Sequence, residues 1–383
     1  MDKNNCGKPQ FSGEWVKLGD VASYINGYAF KPTDYASEGK PIIRIQDLTG
    51  NAYQTNRFAG NLDDKYRVVW GDVLISWSAS LGVYVWSAEE AWLNQHIFKV
   101  QFNKLPVNKR FFIHQTRYVI AESATLAHGA TMRHLTKKVF DNLPFFYPSE
   151  HDQDEIACHL DGIQLQIDSA SEMLARLDTL VKSRFIEMFG GLGSDGLRSL
   201  KDVCSIITDG THQPPKFVDE GIPFLFVSNI ASDAVDYETN KFISVEDYEQ
   251  LIRRTPIEIG DVLVSAVGSF GHPAVVRNGR PFCFQRHIAY LKPRHDLVDS
   301  NYLHAVLLSD EAQRYMDRCA KGVAQRTVTL KSFREMKIPV PPMSLQEEFA
   351  AFVQYVDKLR FDVQQQIDKL ELLKNSLMQE YFG

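Results

Sequence analysis

Cysteine is scarce and unpatterned. The 383 residues hold five, Cys6, Cys158, Cys204, Cys283 and Cys319, with no CxxC spacing. An odd, scattered set argues against a disulfide framework or a zinc ribbon and fits a reducing compartment. Long hydrophobic runs are also missing. The uncharged stretch from Val73 to Ala88 is too short and too serine-rich to span a bilayer, and the opening MDKNNCGKPQ has no apolar signal core. The expectation is a soluble, cytoplasmic chain with no membrane partner. Positive charge is not in excess: 42 basic residues face 48 acidic ones, for a net charge of −6.

Catalytic patterns are missing too. There is no GxxxxGK[ST] phosphate cradle. The [DNS]PP[YF] string that would grip an adenine amino group is approached only by NLPFF (142–146), which lacks the second proline. FGGLG (189–193) follows an expected helix instead of opening one after a strand, and the 11 histidines include no HxxxH pair. The expectation is a recognition scaffold with no catalytic residues, no metal ligands and no cofactor bound by this chain.

What is present is a globular composition, 44% apolar and 23% charged, at a length suited to two or three domains. The acidity is concentrated in two segments: residues 151–196 carry 9 acidic and 3 basic side chains, and residues 344–383 carry 7 and 4. These segments are one element repeated. Shifted by 193 residues, 129–190 matches 322–383 at 15 of 62 positions without a gap. The matches include Gly129/Gly322, Arg133/Arg326, Pro148/Pro341, Gln153/Gln346, Glu155/Glu348 and the closing Phe189-Gly190/Phe382-Gly383. Upstream, LGDV (18–21) meets LKDV (200–203), GDVLIS (71–76) meets GDVLVS (260–265) and QHI (95–97) meets RHI (286–288). A unit of about 190 residues has been duplicated, and the second copy has gained loop residues.

The later part of each unit reads as a long helix. In the first copy Ile156, Leu160, Ile163, Ile167, Ala170, Leu174, Leu177 and Val181 alternate steps of four and three, a sustained heptad seam. The second copy keeps the register with Phe349, Val353, Val356, Val363, Ile367, Leu370 and Leu377, placing Arg360 and Lys374 at seam positions. Ser149 and Ser344 are the expected caps after proline stops, and Phe-Gly-Gly (189–191) the glycine exit. Two such helices in one chain, each acidic outside, are expected to pair with each other. Antiparallel pairing is the more economical arrangement and would relate the units by a pseudo-twofold axis.

The earlier part of each unit alternates short β-like runs with glycine and asparagine turns: 40–45, 72–77, 82–86 and 97–102, then 222–227, 261–267, 274–278 and 287–293. Helical stretches follow at 109–123 and 301–318. The fold class expected is α+β: two α+β globules, 1–148 and 192–342, with helical regions at 149–191 and 343–383.

Two such globules, each closed by G-x-[AT]-x-R-x-[LV], a proline-rich turn, a Gln-Glu-led helix and a terminal Phe-Gly, resemble the S (specificity) subunit of type I DNA restriction-modification systems. The strings that carry the likeness are EWVKLGDVASYINGYAFKPTDY (14–35), GKPIIRIQDL (39–48), IITDGTHQPPKFVDEGIPFLFVSNI (206–230), GVAQRTVTL (322–330) and PVPPMSLQEEF (339–349). The resemblance implies that each globule is a target recognition domain reading half of a bipartite, asymmetric sequence in double-stranded DNA. It implies that the helices form an antiparallel coiled coil setting the spacer. It also implies partners: two methyltransferase (M) subunits carrying S-adenosylmethionine, and restriction (R) subunits using ATP and magnesium. A scaffold holding two protein partners, the specificity subunit of another multi-subunit restriction enzyme, and an enzyme acting alone on nucleic acid are the alternatives.

Base reading needs paired donors and acceptors on loops of one face, and phosphate positioning needs cations, hydroxyls or free amides. On placement beside strands, the DNA-contacting candidates of the first unit are Tyr28, Lys31, Arg44, Gln46, Ser78, Ser80, Gln95, His96, Arg133 and His134. Those of the second are His212, Gln213, Lys216, Asn229, Ser269, Arg286, His287, Gln325 and Arg326. Matched pairs such as His96/His287 suit a shared fold support as well as a contact. Unmatched residues such as Gln46 and Gln213 suit discrimination, because two half-sites should differ.

Overall fold

The structure is a computed structural model that describes residues 11–50, 54–78, 80–126, 136–192, 196–213, 215–322 and 325–383. Its contacts divide the chain into two compact units, Met1–Ser171 with Gln365–Gly383, and Glu172–Gln364. Each 40-residue helix, Glu150–Phe189 and Met343–Phe382, therefore contributes residues to both units.

In the first unit an antiparallel sheet orders Ser23–Asn26, Ile97–Gln101, Val73–Ser76 and Gly82–Val85. A second sheet orders Arg57–Phe58, Lys40–Ile43, Ala91–Leu93 and Arg67–Val68, its central pair parallel. Val73–Ser76 is buried on both faces, which is why its first three residues are consecutively apolar instead of alternating. Val73 and Ile75 face a core with Phe111, Phe112 and Phe145, whereas Leu74 faces Ile43, Val68, Leu93 and Ile97. The ribbon Gly13–Lys17 with Pro144–Pro148 closes the unit.

The first core also takes in both long helices. Ile156, Ala157 and Leu160 share it with Met378, Tyr381 and Phe382. The Phe382 ring meets Phe111 edge-on at 5.7 Å, and Phe11 meets Tyr381 at 5.4 Å. His159 contacts Tyr381 at 3.3 Å and Gln164 bonds Lys374, so the partner number falls as the first rises and the segments run antiparallel.

The second unit repeats these parts. Cys204–Asp209, Ile288–Pro293, Val262–Ser265 and Pro273–Val275 form the antiparallel sheet, and Phe217–Val218, Phe242–Ile243, Ile222–Leu225 and Cys283–Phe284 the mixed one. Val262 and Val264 face a core with Phe189, Tyr302 and Phe349, while Leu263 packs with Leu225 and Phe284. Leu197–Ser199 with Lys337–Pro339 is the closing ribbon. Here the helices meet through Arg184–Glu348 at 2.8 Å and Asp178–Arg360 at 2.6 Å, again antiparallel.

Helix pairing thus holds within each unit. Of the expected seam, Ile156, Leu160, Ile163, Ile167, Leu177, Phe349, Val353, Val356 and Ile367 are buried. Leu174, Val363, Leu370 and Leu377 are half-buried. Arg360 and Lys374 keep their heads bonded to Asp178 and Gln164.

Three local expectations need correction. The single helix expected over 301–318 is two, Ser300–Leu308 and Asp310–Cys319, because Ser309 takes an extended conformation and caps the second through Ala312 N–H. Ser149 does cap its helix, accepting Asp152 N–H at 3.2 Å, but Ser344 lies inside the first turn of the other. There Pro342 O receives Leu345 and Gln346 N–H at the start. The strands Pro144–Pro148 and Lys337–Pro339 occupy what reads only as proline stops.

Candidate nucleic-acid interface

The duplication builds one loop platform in each unit, from three parts held backbone to backbone. In the first unit Gly27 lies against the turn at Asn94, where an added Cβ would sit 2.0 Å from Asn94 O. That approach lets Tyr28 N–H reach Leu93 O at 2.8 Å and lets Tyr28 O accept Gln95 N–H at 2.8 Å. The turn is joined onward through Trp77 N–H to His96 O at 3.2 Å, with the Trp77 and His96 rings tilted against each other, centroids 4.9 Å apart. His96 holds a left-handed backbone, φ 74°, uncommon for a side-chain-bearing residue.

The second unit has the same joints. Gly210 stands where Gly27 does, an added Cβ meeting Phe284 O at 2.2 Å. Thr211 N–H donates to Phe284 O at 3.0 Å and Thr211 O accepts Arg286 N–H at 3.0 Å. Ala266 N–H then reaches His287 O at 2.8 Å, and a fourth segment joins through Gly268 N–H to Arg326 O at 2.9 Å. Burial and the neighbouring Arg286 cation hold the His287 imidazole below its ordinary pKa.

The structure brings several candidates together on these loops. Tyr28, Lys31, Gln95 and His96 lie on the first platform, with Ser80 exposed at the tip that follows Trp77. His212, Gln213, Lys216, Ser269, Arg286, His287, Gln325 and Arg326 lie on the second. Arg44 and Gln46 sit half-buried beside the first platform. Arg133 and His134 lie outside the described residues.

Three candidates are already engaged or enclosed within the chain, Arg326 at its surface and the other two in buried positions. Asn229 is buried and spends its carboxamide on Phe226 N–H at 2.9 Å and Glu238 O at 2.8 Å, so it braces a loop and is withdrawn as a base reader. Asp47 does the corresponding work in the first unit, accepting Arg44 N–H at 2.8 Å. Ser78 is buried. Arg326 is tied to Asp317 at 2.8 Å and lies 5.2 Å over the Phe270 ring.

Sequence reasoning missed a row of three groups. Asp233, itself at φ 60°, lies 3.0 Å from His272 Nδ1, and His272 Nε2 lies 3.2 Å from Ser269 Oγ. The order is that of an acyl-transfer relay, and the flanking Gly268 and Gly271 amides are engaged within the chain, donating to Arg326 O and Ser265 O. The row links the loop that carries Ser269 to Asp233. Asp209 is likewise engaged, between His212 at 2.9 Å and Arg254 at 2.7 Å. Among the described residues no cluster of His, Cys, Asp or Glu is arranged to hold a metal ion.

Two α+β units carrying equivalent loop platforms, fixed in backbone and unlike in side chains, define a two-module recognition protein. Residues 13–178 and 196–372 match the model of the type I restriction modification DNA specificity domain, and the chain belongs to that family. It is 24% identical over 423 residues to the type I restriction enzyme EcoBI specificity subunit of Escherichia coli, covering 100% of this chain and 88% of that one. It is 20% identical over 399 residues to the MjaVIII specificity subunit of Methanocaldococcus jannaschii, covering 95% and 91%. The fold matches a chain from a solved type I R-M system (TM-score 0.56, 19% identity, 97% and 98% covered). It also matches the type I S subunit of M. genitalium (TM-score 0.52, 13% identity, 100% and 98% covered).

Proposed function

We propose that this chain is the sequence-reading subunit of a type I restriction-modification complex. Each unit reads one half of a split, asymmetric site in double-stranded DNA, and the long helices set the spacer between the halves. The observation that carries this reading is the paired platform: joints matched at Gly27/Gly210 and His96/His287, but different free side chains around them. A common frame with unlike readers is what a target with two different words requires.

The long helices support the partner side of the reading. They leave Leu165, Met173, Leu180 and Ile186 exposed on one and Tyr355, Phe361, Leu372 and Leu373 on the other. Large apolar side chains left in water on an acidic helix suit a protein partner and not a phosphate backbone. Two M subunits dock there in this reading and R subunits join them. S-adenosylmethionine, ATP and magnesium belong to those partners, and this chain does no chemistry of its own. No described helix is long and apolar enough to cross a membrane, consistent with a cytoplasmic site of action.

The test is to express the chain with its M subunit in a host lacking methylated adenine and map modified adenines by single-molecule sequencing. A two-part motif with a fixed gap is expected. Modification of an ungapped motif, or of the same sites without this chain, would refute the reading.

A further inference from the structure

We infer that positions 95 and 286 are the same base-reading position in the two units, Gln95 taking an adenine and Arg286 a guanine. The inference rests on the proposed function and names the residues that make its two words differ. Both residues occupy the second place of the turn that leads into the strands Ile97–Gln101 and Ile288–Pro293. Both have their backbone N–H bound by the neighbouring loop, Gln95 by Tyr28 O at 2.8 Å and Arg286 by Thr211 O at 3.0 Å. The residue before each bridges that loop, Asn94 with Tyr28 and Gln285 with Thr211. The residue after each is tied through its carbonyl, to Trp77 and to Ala266.

With the backbone engaged on every side, the side chain is what remains to be offered. Neither Gln95 nor Arg286 has a side-chain hydrogen bond or ion pair among the described residues, and neither has a polar atom sealed from solvent. Several other polar groups on the same loops are already engaged. Asn94 Oδ1 accepts Gln95 N–H at 2.9 Å, His212 is held by Asp209, and Arg326 by Asp317. A carboxamide presents one donor and one acceptor, the complement of adenine N7 and N6. A guanidinium presents two parallel donors, the complement of guanine O6 and N7. A fixed turn spares the backbone its ordering cost on binding and leaves only the side chain to be ordered.

The test uses the whole complex with its M subunits. Wild type, Gln95→Arg, Arg286→Gln and the two alanine variants are read by sequencing methylated adenines and by binding to a duplex library. Gln95→Arg should convert one A·T preference to G·C in one half-site, and Arg286→Gln should convert one G·C to A·T in the other. Each alanine variant should make that single position degenerate, with roughly 5- to 150-fold discrimination lost and the opposite half-site still read. Unchanged motifs in all four variants, or a uniform loss of affinity for every sequence, would overturn the assignment while leaving two-part recognition standing. A wild-type complex that reads no split site would instead overturn the functional reading. Should an exchange variant fail to assemble, the alanine variant at that position decides.

Discussion

The carboxamide of Gln153 accepts the N–H of Asn108 at 2.9 Å while donating to Pro148 O at 3.0 Å. A single buried side chain thus ties the start of helix Lys109–Leu126 to the turn before the long helix. Gln346 does the same in the second unit, bonding Asp299 N–H at 2.9 Å and Pro341 O at 2.8 Å. Substituting leucine strands a buried donor and an acceptor. Gln153→Leu and Gln346→Leu should each cost about 2–3 kcal/mol in urea unfolding, and equal stability to wild type would show the clamp to be idle.

The closing phenylalanines are core residues. Phe382 is buried against Phe111, and Phe189 lies 4.7 Å from Tyr302 and 5.5 Å from Phe349. Alanine at either position should cost about 3–5 kcal/mol, with leucine costing less. Thermal melting separates these outcomes from a solvent-facing role, for which both changes would be near neutral.

Gly27 and Gly210 are where the platforms tolerate no side chain, since a Cβ would collide with backbone oxygen at 2.0 and 2.2 Å. Gly27→Ala and Gly210→Ala should each cost about 1–3 kcal/mol and abolish reading of one half-site only. Gly162, with open space around it on the long helix, is the contrast. Gly162→Ala should stabilise by about 0.5–1 kcal/mol and leave the methylated motif unchanged.

Burial holds His114 below its ordinary pKa, and the Asp161 carboxylate at 2.7 Å offsets this only in part, with Lys374 and Arg117 adding to the depression. The unfolded chain then binds the proton more readily. This contribution to stability is whole above about pH 6.5, the unfolded value, and is lost as pH falls through the lowered folded value. The urea midpoint should fall from pH 7 to pH 5, and His114→Gln should flatten that slope. An unaltered slope would place the imidazole in water.

Much of this molecule was readable before any coordinates. A 193-residue offset exposed the duplication, and the heptad steps marked the seam because burial of Ile156, Leu160 and Ile163 follows helical geometry directly. The strands Val73–Ser76 and Val262–Ser265 lie inside the runs read at 72–77 and 261–267, recognisable because two-sided burial leaves three consecutive apolar residues before each closing serine. The site was less legible. Asn229 and Gln213 are equally polar on paper, and only packing shows that one is consumed inside a loop while the other stands in solvent. The Asp233–His272 contact joins residues 39 apart, a distance at which no local pattern operates. Matched Gly27 and Gly210 were the available signal for the platforms, since a glycine repeated at one position in both copies marks a close backbone approach.

The central claim is that two sibling modules read two words at a set distance. Its most direct measurement is the affinity of the complex with M subunits for duplexes in which the gap between the mapped half-sites is varied one base pair at a time. Each added pair displaces one word by about 3.4 Å and turns it by about 35°. The account predicts a single preferred gap, with sharply weaker binding one pair to either side. Equal affinity across the series would contradict it.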